Sequence, residues 1–77
     1  MNKQERKKLS DIASQLVDLV TEIEDAANAE REKFENMSEG LQQTDLGQRI
    51  EAAADALDNA MNRAQEAADA IEEAIGA

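Results

Sequence analysis

The chain has 77 residues, a formal charge of −10 and no cysteine, histidine, proline, tryptophan or tyrosine. A single short domain of this kind buries only roughly 60% of its unfolded surface, and the missing residue types exclude disulfides, a structural zinc site and thiol or imidazole catalysis. The remaining routes to stability are well-formed helix packing and association with a partner subunit.

The charge is unevenly placed. Residues 1–8 hold Lys3, Arg6, Lys7 and Lys8 against Glu5, whereas the rest of the chain sets all the other acids against Arg31, Lys33, Arg49 and Arg63. An acidic body repels phosphates and anionic lipid, so direct nucleic-acid and membrane partners are not expected. The basic start resembles the head of a signal peptide, but Asp11 and Asp18 interrupt the apolar segment that would have to follow. No apolar run approaches the roughly 20 residues of a membrane span. The expected location is the cytoplasm.

The first predicted element is a helix over about 3–37. Asn2 and Glu5 form a capping-box pattern at its start. Apolar residues recur at Leu9, Ile12, Leu16, Leu19, Ile23 and Ala26, the alternating three-and-four spacing of a heptad seam. With Leu9 as position a, Ile12 is d. A flanking e column of Ala13, Val20, Ala27 and Phe34 widens the apolar face. Glu30 and Lys33 fall on the seam and break it; Glu30 is expected to snorkel or to pair with Arg31, Lys33 or another subunit.

A connection over 38–44 follows, in which Ser38 caps a short turn, Gly40 permits the reversal and Thr44 caps the next helix. Gly47 lies inside that helix, where glycine costs about 1 kcal/mol relative to alanine. Either close packing against Phe34 or Met37, or backbone access for a partner, would account for it.

The second long helix, about 45–75, has a positions Ile50, Leu57, Ala64 and Ile71. Its d column is alanine throughout (Ala53, Ala60, Ala67, Ala74), and Gly76 stands where a C-terminal cap would. Folding the chain back at residue 41 or 42 sets Leu9 against Ala74, Leu16 against Ala67 and Ile23 against Ala60, large against small. The expected fold is therefore all-α: an antiparallel helical hairpin that dimerises into a four-helix bundle, its packing seam formed by Leu9, Ile12, Leu16, Leu19, Ile23, Ala53, Leu57, Ala60, Ala67 and Ala74. In this hairpin the basic N-terminus lies beside Asp69, Glu72 and Glu73 and neutralises them.

The pattern Phe34-Glu35-Asn36-Met37, then Glu39, Leu41-Gln42, Thr44 and Gly47, ahead of an alanine- and acid-rich helix, resembles a family of small uncharacterised proteins of bacteriophages and prophages. Their connection reads N-M/L-P-E-x-L-Q-x-S/T-x-x-G; Ser38 replaces its proline, and Leu46 stands where arginine is frequent. The resemblance implies a mobile-element setting in a bacterial cytoplasm and brings no activity with it.

No catalytic, cofactor or metal residues are identified. Asp55, Asp58 and Asn59 lack the glycine and closing glutamate of a calcium loop. What remains is an acidic surface. Asp11, Asp18, Asp25, Glu32 and Glu39 repeat every seven residues on the first helix, and Glu51, Asp55, Asp58, Glu66, Asp69 and Glu73 line the second. These acids either solvate amphipathic helices or imitate phosphates for a partner with a basic surface. DNA phosphates, at 3.4 Å of axis per strand, are more closely spaced than the roughly 10.5 Å of a heptad repeat. The candidate partner-binding residues are Asp55, Asp58, Glu66 and Asp69 on the second helix, with Gly40, Leu41, Leu46 and Gly47 at the connection. The functional expectation is a non-enzymatic interaction module, in its sharpest form an acidic inhibitor of a nucleic-acid-handling or defence protein; the alternative is a scaffolding oligomer.

Overall fold

The computed structural model describes Met1–Ala77 as an all-helical chain without strands: α1 (Lys3–Glu35), α2 (Glu39–Gln42) and α3 (Asp45–Gly76). The two long helices lie alongside each other in a body 58 × 15 × 12 Å. No helix is long and apolar enough to cross a membrane.

Local chemistry sets the helix starts. The Asn2 Oδ1 accepts from the Glu5 backbone N–H at 2.7 Å, and Glu5 Oε1 accepts from the Asn2 N–H at 3.4 Å. The pair satisfies two of the donors that open every helix. Ser38 Oγ accepts from Leu41 N–H at 3.3 Å, and Thr44 Oγ1 from Gly47 N–H at 3.2 Å. The first helix ends at Glu35, with Asn36 as its C-cap, two residues short of the expected 37.

Two glycine roles differ from expectation. No glycine has a positive φ. Gly40 sits within α2 in open space, with no left-handed conformation that would call for glycine. Gly76 is the last residue of α3 and not a cap beyond it.

The packing seam lies on a different side of the helices than a and d spacing suggests. The buried residues are Ala13, Ala27, Ala54 and Ala68, all in the e column, together with Gly47. Half-buried beside them are Leu9, Leu16, Val20, Ile23 and Phe34 on α1, and Ile50, Leu57, Met61, Ala64, Ile71 and Ile75 on α3. The seam is therefore a and e. Ile12, Leu19, Ala53, Ala60, Ala67 and Ala74, the expected d members, are exposed. The reason is steric: in each e column alanine alternates with a larger residue (Ala13-Val20-Ala27-Phe34, Ala54-Met61-Ala68-Ile75). Backbones approach at the alanines while the larger side chains fill the spaces between. An unbroken alanine column allows approach but fills nothing.

Candidate functional site

Two shallow hollows open along one broad side of the helix pair. One, about 240 Å³, is lined by Ala13, Ser14, Val17 and Asp18 from α1 and by Ala68, Asp69 and Glu72 from α3. The other, about 280 Å³, is lined by Arg31, Phe34 and Glu35 from α1 and by Glu51, Ala54 and Asp55 from α3. Both fall below the roughly 300–1,000 Å³ of small-molecule pockets. Their rims carry Asp18, Glu35, Glu51, Asp55, Asp69 and Glu72 against a single cation, Arg31. This side is a strip of negative potential with small apolar floors at the buried alanines.

The candidate acids are not equivalent. Asp55 and Asp69 share the f column and stand at the two hollows; Asp69 also accepts from Gln65 Nε2 at 3.1 Å. Glu66 is exposed on the outer edge, away from both. Asp58 departs most from the expectation of an outward, solvated acid: it is half-buried and bound by the Arg31 guanidinium across the two helices. Both belong to b columns, which meet only when the seam is a and e, and that is why a and d spacing missed the pair.

Other charges also settle differently. Glu30 accepts from Lys33 Nζ at 2.7 Å, one of its expected partners. Lys7 reaches Asp11 at 3.5 Å along its own helix. None of the N-terminal cations pairs with Asp69, Glu72 or Glu73 as expected. Long exposed side chains gain too little from such contacts to be held in one geometry. The carboxylates are spread along the helices, and no three are gathered to hold a metal ion.

At the connection, Gly40, Leu41 and Leu46 are exposed, and Leu41 and Leu46 form an apolar tip. Gly47 is buried and offers no surface to a partner. A Cβ there would lie 2.5 Å from the Leu41 carbonyl oxygen and 2.6 Å from that of Gln42. Close packing is thus what requires glycine, and it occurs against connection backbone rather than against Phe34 or Met37. Gln42, a residue of the connection motif to which the sequence assigns no bonding role, is the clamp: its Nε2 donates to the Phe34 carbonyl at 3.0 Å and the Met37 carbonyl at 3.3 Å. Gln48 Nε2 in turn donates to the Gln42 carbonyl at 2.9 Å.

No known family model, curated protein or solved structure matches the chain.

Proposed function

We infer that the chain is an antiparallel helical hairpin acting as a non-enzymatic protein-interaction module, whose acidic strip receives a basic surface of another protein. The observation that supports this reading is the concentration of Asp18, Glu35, Glu51, Asp55, Asp69 and Glu72 around two apolar-floored hollows on one side. A basic partner gains electrostatic steering from such a strip and shape from its floors. The resemblance of the connection to small phage and prophage proteins suggests a bacterial host protein as the target, and a nucleic-acid-handling enzyme is the sharpest form of that reading.

Replacing Asp55, Asp69 and Glu72 by Asn or Gln removes three charges from the strip while retaining size and hydrogen bonding, and leaves the Arg31–Asp58 pair untouched. Circular dichroism should show unchanged helicity. Affinity capture from a bacterial lysate should lose the basic partner, or slow its association and flatten its salt dependence. A variant that captures the same partner with the same salt dependence would sink the strip as the recognition surface. The hairpin itself is checked separately. An Ala13→Cys/Ala68→Cys chain should form an internal disulfide, since both alanines line one hollow and the chain has no cysteine of its own.

A further inference from the structure

The side opposite the acidic strip is of a different character. The two hollows collect e, b and f positions from both helices, with Asp18 from the c column of α1 and none from d or g, so the d and g columns of both turn to the other side, at 100° per residue. On α3 these columns read Leu46, Ala53, Ala60, Ala67 and Ala74 (d) and Arg49, Ala56, Arg63 and Ala70 (g), with no acid among them. On α1 they include Ile12, Leu19 and Ala26, with Ile12 36% and Leu19 49% exposed. The acids of this whole side are Glu5 and Glu22, in a chain that carries 18. A protein of charge −10 that keeps one apolar side nearly free of acid has a surface suited to burial.

We propose that this side is covered by a second copy of the same chain, related by a twofold axis along the length of the helix pair. This rests on the hairpin reading above and adds the surface and its occupant. Three observations favour a second copy. First, the Cα extents of the body give this side an outline of 58 by 15 Å, a projected area comparable to the roughly 800 Å² per partner of a standard stable interface.

Second, the side is self-complementary. The shared hollows set residues 13–18 level with 68–72 and residues 31–35 level with 51–55. In that register Ile12 is level with Ala74, Leu19 with Ala67 and Ala26 with Ala60. Rotation about the long axis preserves level and lays α1 of each copy over α3 of the other. Ile12 and Leu19 then enter the low alanine row of the partner, large into small. Third, the same rotation brings Glu22 level with Arg63 of the other copy, both in g columns flanking the apolar row. Neither is ion-paired within its own chain.

The test is charge exchange. Glu22→Arg and Arg63→Glu alter exposed residues, so each chain should keep its helicity. Sedimentation equilibrium should show the unaltered protein at twice 8.4 kDa and each variant dimerising about tenfold more weakly. An equimolar mixture of the two variants should regain the original affinity, because the mixed dimer restores both pairs. Oxidation adds the orientation. A mixture of Leu19→Cys and Ala67→Cys chains should cross-link, and Leu19→Cys alone should not.

A monomer at micromolar concentration, or charge variants as tight as the parent, would overturn the interface. Leu19, the middle residue of α1, would meet its own copy if the twofold axis ran across the helices, so cross-linking of that variant alone would overturn the proposed axis. A monomer that still forms the Ala13→Cys/Ala68→Cys internal bridge would sink the interface while leaving the hairpin intact.

Discussion

Gly47 shows how much a single missing methyl decides. In mid-helix it forfeits about 1 kcal/mol of helix propensity relative to alanine. The loss is tolerated because the Leu41 and Gln42 carbonyls pass where a Cβ would be. Backbone cannot swing aside as a flexible side chain does, so Gly47→Ala should displace α2 and break the Gln42 clamp on Phe34 and Met37. A net destabilisation of about 1–3 kcal/mol is expected, with overpacking exceeding the propensity gain. Urea unfolding of the two proteins measures it; an alanine variant as stable as the parent would show that the close approach is not needed. That Gly47 needs a packing reason is legible in the sequence, because glycine is costly in a helix wherever it occurs. Which atoms crowd it is not, because the Leu41 and Gln42 carbonyls are placed by the Gln42 bonds to Phe34 and Met37, eight and five residues away, which no local pattern gives.

The helices divide their information in the same way. Their starts depend on side chains within three residues, so Asn2 with Glu5, Ser38 and Thr44 can all be read directly. The seam cannot, because both helices carry apolar residues in a, d and e columns, three faces where one partner helix covers two. Alanine fits a seam or a surface equally well, so the unbroken d column of α3 gives no preference by itself. The alternation of alanine with larger residues in e was visible in the sequence and is the feature that decides. At this scale Ala68→Leu should overpack the pair by about 1–3 kcal/mol. Ala52→Leu, exposed on the outer edge, should change stability by less than about 0.5 kcal/mol. Thermal or urea unfolding distinguishes them, and equal effects would refute the a and e seam. Part of the candidate site was equally legible: the acids are evident from composition, but their separation from a side that holds only Glu5 and Glu22 appears only once the seam fixes which columns turn together.

Across the whole molecule, no large side chain is fully buried. The pair is one layer of side chains deep, and each level of it touches little beyond the levels above and below. Such a body has no centre to collapse around. Its order of assembly follows chain separation instead: Phe34 and Ala54, beside the clamped connection, meet after a short loop closes, whereas Ala13 and Ala68 must wait for a much longer one. Closure should therefore begin at the connection and run toward the chain ends, and opening should run the other way. Native-state hydrogen exchange should find slower amides around Ala27 and Ala54 than around Ala13 and Ala68; uniform protection would contradict this. The chain then behaves as a zipper whose fastener is the Gln42 clamp, and the acidic rim of the hollow at Ala13 and Ala68 sits on the teeth that part first.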